Sequence, residues 1–277
     1  VTRVLCRLAG QWQDDWPATD RGLHYGDGLF ETMRLSAGRI PLWPLHQARL
    51  QAGITALRFP SATMDDVLQA LATLPEPQRL DRYSAVKLLL SRGTGPRGYA
   101  IPEPTAINLQ LHLFDAPQWR WSGLSAECPG LTIGVNPVRL GRQPRLAGLK
   151  HLNRLEQVLA RAEFQPGWDE SLMLDDQEQV IEGCYSNLII RRGGQWLTPS
   201  LVTSGVNGVV RQWLLQQLDV TVTGLSLDDI KQADALFMSN SLMGIVPVAR
   251  MDTTSYAPTS EALDVMRALQ TRLESLF

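Results

Sequence analysis

Lys150 stands between a short loop, Leu146-Ala147-Gly148-Leu149, and a stretch whose apolar residues have helical spacing. A lysine at such a junction can project into a cleft, where partial desolvation frees its amine to form a Schiff base. Glu182 lies among strand-like apolar residues in Val180-Ile181-Glu182-Gly183-Cys184-Tyr185-Ser186-Asn187. A carboxylate there is costly to bury without a cationic partner, and a protonated heterocyclic nitrogen is one such partner. Arg49, in His46-Gln47-Ala48-Arg49-Leu50, sits one turn into an expected helix, where a guanidinium can clamp a phosphate through its bidentate fork. Gly205-Val206-Asn207-Gly208-Val209-Val210-Arg211 leads glycines into a helix N-terminus, an anion site built of free backbone N–H groups. Ser239-Asn240-Ser241, after an expected strand, adds hydroxyl and N–H donors. Each feature also has an ordinary reading: a surface lysine, a strand glutamate that is exposed or ion-paired, a solvated helix arginine, and a helix start capped by Asn207.

The elements that must position these residues are mixed α and β in both halves of the chain. Val1–Leu8 reads as a strand, and Leu29–Leu35 and Arg39–Leu42 flank a hairpin turn at Ser36-Ala37-Gly38. Pro44 opens a helix with Leu50, Ile54 and Leu57 at helical spacing. A second helix from Thr63 turns Met64, Val67, Leu68 and Leu71 inward and is closed by Pro75 and Pro77. Two long strands, Tyr83–Ser91 and Ala106–Phe114, enclose the loop Arg92-Gly93-Thr94-Gly95-Pro96-Arg97-Gly98-Tyr99. In the second half, a strand at Leu131–Val138 precedes a basic loop. A helix then starts just after Lys150, with Leu152, Leu155, Leu159 and Ala162 on one face. Strands follow at Glu170–Leu174, Ser186–Ile190 and Ala235–Ser239, with helices at Gly208–Leu218 and from about Ser260. The expected division is an N-terminal α/β domain over 1–115, a linker over 116–123 around Pro117, and a C-terminal α/β domain over 124–277. No G-x-G-x-x-G occurs, and strict strand–helix alternation is missing, so a dinucleotide-binding domain is not expected.

The chain has 277 residues, 44% of them hydrophobic and 19% charged, enough for a substantial core and too apolar for disorder. A net charge of −2 gives no reason to expect nucleic acid or a membrane surface as partner. No apolar run reaches the ~20 residues of a membrane span, and no secretory leader is expected. Cys6, Cys128 and Cys184 are odd in number and far apart, which disfavours disulfides and structural zinc and suits a reducing cytoplasm. The four histidines, His24, His46, His112 and His151, form no metal-ligand pattern.

Taken in order, these residues resemble the fold type IV pyridoxal 5′-phosphate (PLP) enzymes, a group of branched-chain aminotransferases, D-amino-acid aminotransferases and aminodeoxychorismate lyases. The resemblance runs from Asp20-Arg21-Gly22-Leu23-His24-Tyr25-Gly26-Asp27-Gly28-Leu29-Phe30-Glu31-Thr32 to Ile245-Val246-Pro247-Val248. Three stretches are similar to the lyase members in particular: Pro137 to Arg142 with Leu146 to Gln157, the loop Arg92 to Tyr99, and Gly205 to Gly208. The resemblance implies a two-domain α+β, or mixed α/β, architecture and a homodimer. It implies that Lys150 carries PLP as a Schiff base and serves as the catalytic base, with Thr32 assisting proton transfer. Glu182 would pair with the pyridine nitrogen. Arg49, the N–H groups of Val209 and Val210, and Ser241 would hold the phosphate. At the Val210 position the aminotransferases carry a threonine, so here only a backbone donor remains. Glu31 stands where some lyases have threonine, which makes Phe30-Glu31-Thr32 similar to an aminotransferase spelling.

The reaction so implied is conversion of 4-amino-4-deoxychorismate to 4-aminobenzoate and pyruvate. Its steps would be formation of an external aldimine, loss of the C4 proton and elimination of enolpyruvate. Two substrate carboxylates need cations, for which Arg97 is the candidate handle, with Tyr99 and His24 lining the pocket; Arg139, Arg142 and Arg211 are further cations in reach of such a role. An aminotransferase on the same scaffold is the competing enzyme reading, and a non-catalytic PLP-binding protein is a third.

Overall fold

Alternation along β3 (Gly28–Arg34) shows how the first unit is built. Leu29, Glu31 and Met33 are buried, while Phe30 and Thr32 between them are only partly so. A strand with that pattern has one face on a core and the other open. The computed structural model describes residues 2–74, 80–118 and 130–277. The chain divides into two units, Val1–Ala116 with Leu149–Asn153, and Pro117–Gly148 with Arg154–Phe277. Pro75 and Pro77, residues 119–123 of the expected linker, and Cys128 lie outside the described residues.

In the first unit, β1 (Arg3–Leu8), β2 (Gln11–Gln13), β3, β4 (Ala85–Ser91) and β5 (Asn108–Phe114) form an antiparallel sheet in the order β2-β1-β5-β4-β3. A short helix, α1 (Arg21–Tyr25), precedes β3. Helices α2 (Trp43–Ala56) and α3 (Thr63–Ala72) supply the other half of the core. Leu50, Ile54, Met64, Val67 and Ala70 pack with Leu29, Met33, Val86, Leu88, Leu90, Leu109, Leu111 and Leu113. Gly53 lets α2 approach closely, since a Cβ there would lie 2.7 Å from the Leu29 methyl carbons. The hairpin expected after β3 is smaller than read: Ser36 and Arg39 pair across a turn with Ala37 and Gly38 at positive φ, and residues 40–42 turn into α2, with Trp43 N donating to Ile40 O at 2.9 Å. On α3 the third inward position is Ala70, while Leu68 is 38% exposed.

The second unit holds β6 (Leu131–Leu140), α4 (Leu155–Ala162), β7 (Glu170–Asp175), β8 (Val180–Gly183), β9 (Asn187–Arg192) and β10 (Gln195–Pro199). They are followed by α5 (Val209–Gln217), β11 (Val220–Thr223), α6 (Leu227–Lys231), β12 (Ala235–Asn240), β13 (Gly244–Met251), β14 (Thr254–Ser255) and α7 (Ser260–Glu274). The sheet runs β11-β10-β9-β12-β13-β6-β7-β8, with β14 paired to β13. It is mixed: β13 and β7 run parallel to β6, whereas β8 turns back antiparallel to β7. β7 and β8 are buried throughout, as strands covered on both faces must be. Four of these strands, β10, β11, β13 and β14, are not anticipated by the sequence reading.

Helix α4 corrects the expectation of a helix directly after Lys150. The backbone of residues 150–152 is already engaged with β3: Phe30 N donates to Lys150 O at 2.8 Å, and Leu152 N donates to Gly28 O at 3.0 Å. Those extended bonds forbid helix until Leu155. The expected apolar face is also reversed, because Leu155, Val158 and Leu159 are 76%, 60% and 57% exposed. Ala160 is the residue that packs inward, against Leu140, Met173, Ile181 and Cys184. Among the described residues no helix is long and apolar enough to cross a membrane.

Candidate active site

Lys150 is fixed by its own backbone. Residues 150–152 lie antiparallel to the start of β3, with Leu29 opposite His151, so the segment acts as a short extra strand at the edge of the first unit's sheet. Asn153 closes it by donating from Nδ2 to Gly26 O at 3.1 Å. The register places the Lys150 ammonium over the Phe30 ring, 4.4 Å from its centroid. Phe30 and Thr32 project from the same face of β3, and Thr32 lies opposite Lys87 of β4. Lys87 reaches the same ring from 5.2 Å. The first unit thus brings Lys150 and Thr32 to one sheet face, together with a second lysine that the sequence reading did not single out as functional.

The opposite face of β3 carries a buried charge cluster. Arg49 donates from Nε to Glu31 Oε1 at 2.8 Å and from Nη2 to Oε2 at 2.5 Å. His46 Nδ1 lies 2.6 Å from Glu31 Oε2. Burial alone would raise the Glu31 carboxyl, but the Arg49 charge and the His46 hydrogen bond outweigh it and bring it down to about 2. Burial lowers His46 despite its bond to Glu31, which leaves a neutral imidazole donating from Nδ1. The bidentate fork expected to meet a phosphate is therefore committed, on this edge of Arg49, to Glu31. The sequence reading treated Glu31 only as a family marker; a glutamate on the inward register of β3, opposite the His-x-x-Arg face of α2, was the available signal.

In the second unit Glu182 is 4% exposed. Its Oε2 accepts from Val206 N at 2.8 Å and from Asn187 Nδ2 at 3.4 Å. Asn187 also bonds Val206 O at 2.9 Å and accepts from Gly208 N at 3.0 Å. Gly208 is the N-cap of α5, where no side chain caps the helix. The N–H groups of Val209 and Val210 accordingly head an uncapped helix start, while their side chains are buried. Asn207, read as the alternative cap, instead accepts from Arg211 Nη1 at 2.9 Å. The expected loop–helix geometry is present, and Asn187 is the member missed: it ties the Glu182 carboxylate to the start of α5.

Arg211 is structural. It donates from Nε to Thr198 Oγ1 at 3.3 Å and from Nη2 to Pro199 O at 3.0 Å, knitting α5 to β10. Burial lowers its guanidinium to about 10, opposed by the Glu182 charge. The same two influences act on Arg154, where burial lowers and Glu182, then Glu156, oppose. Glu182 is thus a buried carboxylate in the field of two arginines. Arg139 pairs with Glu178 at 2.8 and 2.9 Å, and Arg142 lies 3.5 Å from Asp175. Ser241 follows β12 in a turn built on Asn240, whose Oδ1 accepts from Leu242 N at 2.9 Å and Met243 N at 2.8 Å.

The glycine- and arginine-rich loop has a rigid base and an open tip. Arg92, 2% exposed, donates from Nε to Asp27, from Nη1 to Arg58 O and from Nη2 to Leu57 O, and stacks 4.2 Å from the Phe59 ring. Arg21 donates to Asp27 at 2.9 Å and to Gly98 O at 3.0 Å. Beyond this base Arg97 is exposed, and Tyr99 is 85% exposed. His24 Nε2 lies 2.7 Å from Ala18 O. Tyr25 links His24 to Tyr99 through edge-on ring contacts of 5.9 and 5.4 Å. His24, Tyr99 and Arg97 therefore belong to one corner of the first unit.

Comparison with known proteins supplies the family. The chain is 36% identical over 243 residues to an aminodeoxychorismate lyase of Vibrio harveyi, covering 84% of this chain and 86% of the relative. It is 30% identical over 260 residues to a putative branched-chain-amino-acid aminotransferase of Methanocaldococcus jannaschii, covering 88% and 87%. The solved structure of 4-amino-4-deoxychorismate lyase from Pseudomonas aeruginosa superposes with a TM-score of 0.84 at 36% identity, over 99% of this chain and 98% of that one. The aminotransferase class IV profile matches residues 28–251, from the strand that carries Phe30 to the end of β13, and the chain belongs to that enzyme family.

Proposed function

We propose that the protein is a PLP-dependent lyase that converts 4-amino-4-deoxychorismate to 4-aminobenzoate and pyruvate. The observation that carries this reading is the likeness, at 36% identity in each case, to a relative and to a solved structure that both bear the lyase name. The residues fit the cofactor. An uncapped helix start suits a phosphate, a buried carboxylate suits a protonated ring nitrogen, and Lys150 offers an amine on an aromatic face.

When bound, PLP supplies an electron sink for the pair released as a C–H bond breaks. Lys150 is the residue that holds it and the base that takes the C4 proton, and its backbone bonds to β3 limit where that amine can travel. Thr32, on the face of β3 that carries Phe30, would assist that proton transfer. Glu182 would pair with the ring nitrogen, with Asn187 and Val206 fixing its Oε2. The N–H groups of Val209 and Val210, with Ser241 and Arg49, would hold the phosphate. Arg97, with Tyr99 and His24, binds substrate carboxylates. Loss of the C3 enolpyruvyl group makes the ring aromatic, so the protein mainly has to orient groups and stabilise charge. The family resemblance supports a homodimer, and the outward row Leu155, Val158 and Leu159 is the kind of apolar surface an assembly covers.

The test is to supply 4-amino-4-deoxychorismate with no amino acceptor. Equal amounts of 4-aminobenzoate and pyruvate are expected. The aminotransferase reading is favoured by the Methanocaldococcus jannaschii relative. It would prevail if no aromatic product formed and D-alanine or branched-chain amino acids turned over with an acceptor.

A further inference from the structure

Glu170 opens β7 with a side chain that has no solvent exposure (0%). Four donors converge on its carboxylate. Ser171 N and Cys184 N reach Oε1 at 2.8 and 2.9 Å, and Tyr185 N and Ser186 Oγ reach Oε2 at 3.2 and 2.7 Å. Three of the four belong to the turn from Gly183 to Ser186, which Gly183 N closes onto Ser186 O at 2.6 Å. That turn joins Glu182, on β8, to Asn187, the first residue of β9. Those two residues share Val206, and Asn187 holds the N-cap of α5. Glu170 therefore holds the turn by hydrogen bonds, the turn is continuous in chain with Glu182 and Asn187, and these two bond onward to Val206 and the head of α5.

The side chain at position 170 has to be a carboxylate to do this. An ionised carboxylate is acceptor-only, with about four lone-pair sites on two oxygens. An amide of the same shape accepts at one oxygen and would set its own N–H groups against the Tyr185 N–H. Gly183 makes room: a Cβ there would lie 2.9 Å from Glu170 Cδ and 2.5 Å from Ser186 Oγ. A turn could be held more cheaply by backbone bonds or an exposed polar residue, since burying an ionisable group away from a cation is expensive.

We propose that Glu170 is a positioning residue for the cofactor: by fixing the turn 183–186 it sets the Glu182 carboxylate and, through Asn187, the start of α5 that faces the phosphate. This rests on the PLP reading above but not on the choice between lyase and aminotransferase. Four holoproteins test it: Glu170→Gln, Glu182→Gln, the double variant and wild type. Each is measured for PLP affinity, the absorbance of the bound cofactor, and kcat and KM. In the wild-type background Glu170→Gln should weaken PLP binding, alter the absorbance of the bound cofactor and lower kcat, the last on the order of 10- to 100-fold, as outer partners of a charged ligand commonly do. In the Glu182→Gln background the same change should cost less than about twofold in kcat, because the route through the Glu182 carboxylate is already removed, while the loss of PLP affinity carried through Asn187 should persist. Gly183→Ala, which keeps the carboxylate but disturbs its seat, should show the same dependence on Glu182, and it stands in if Glu170→Gln does not fold. Equal losses of kcat in the two backgrounds, or wild-type PLP affinity and absorbance in Glu170→Gln, would overturn the assignment. Spectral coupling in a protein that makes no 4-aminobenzoate would support Glu170 and refute the lyase. A wild-type protein that binds no PLP would refute both.

Discussion

Arg49 gives two of its N–H groups to the two oxygens of Glu31, at 2.8 and 2.5 Å, on the core face of β3. Both residues are almost fully buried, at 8% and 1% exposure. The pair fixes the guanidinium, and His46 braces it from the same helix. It also gives Glu31 a role independent of whether the chemistry is elimination or transamination.

Removing the Glu31 charge takes away a carboxylate partner of a buried guanidinium, so Glu31→Gln should destabilise the fold by about 3–5 kcal/mol. The effect has a defined pH dependence. The Glu31 carboxyl is near 2 in the folded protein against an ordinary 4.5. A group lowered by folding stabilises fully above its unfolded value, and that contribution fades as the pH falls through 4.5 towards 2. Urea unfolding of both proteins at several pH values checks this. The gap between them should be full at pH 6 and shrink towards about pH 3; parallel curves across that range would contradict the pairing.

Glu170 should behave in the opposite sense. Burial raises its carboxyl from 4.5 to about 7, against the pull of its Ser186, Ser171, Tyr185 and Cys184 hydrogen bonds. A carboxyl raised by folding contributes stability that is complete below 4.5 and lost as the pH climbs through about 7. Wild type should therefore lose up to about 3 kcal/mol relative to Glu170→Gln between those limits. Cys184 stays neutral throughout, since burial and then the Glu170 charge push its thiol to about 12. Thermal melts of the two proteins at pH 5 and pH 8 decide it: a difference that does not change with pH, or grows in favour of wild type, speaks against a buried, raised carboxyl.

The sequence showed the elements whose periodicity is local. β3, β4, β5 and β7 alternate or run apolar as read, and α2, α3, α5 and α7 lie within a few residues of their expected positions. What it hid was set by partners distant along the chain. Residues 150–152 carry a helix-like apolar spacing, yet pairing with Gly28 and Phe30 holds them extended. β11 is only four residues long, and its identity as a strand depends on β10 beside it. Among candidate site residues, Lys150, Glu182 and the glycines before α5 stand out by type and context. Glu31, Glu170 and Asn187 do not, because a buried carboxylate or amide differs from an exposed one only in what the fold brings to it.

Two lysines approach the Phe30 ring, Lys150 at 4.4 Å and Lys87 at 5.2 Å, and both must be distinguished in solution. The segment holding Lys150 is tethered at both ends by β3, whereas Lys87 belongs to the middle of the sheet. With PLP added the protein should turn yellow, and borohydride should fix the label to the peptide containing Lys150. Lys150→Ala should lose the label and turnover while keeping the melting temperature of the apo protein within a few degrees, since a half-buried lysine is not a core residue. Label recovered on Lys87 would move the chemistry one strand over.

The loop between β4 and β5 gives a paired test, because two of its arginines have opposite surroundings. Arg92 is buried at the loop base, bonded to Asp27 and to the carbonyls of Leu57 and Arg58. Arg97 stands at the exposed tip, beside Gly98, whose carbonyl Arg21 holds. Truncating Arg92 strands Asp27 with Arg21 as its remaining partner and opens space over Phe59, so Arg92→Ala should cost about 3–5 kcal/mol of stability. Arg97→Ala removes nothing from the core and should leave the melting temperature within about 1 °C, as surface changes usually do. Its effect belongs to the substrate. If Arg97 is a carboxylate handle, losing a charge-assisted hydrogen bond should raise KM for 4-amino-4-deoxychorismate by about 10-fold or more, with PLP affinity unchanged. Arg97→Lys, which keeps the charge and loses the fork, should fall between the two. A KM that ignores both substitutions at Arg97 would remove it from the substrate site and leave the loop with the structural task its base already performs.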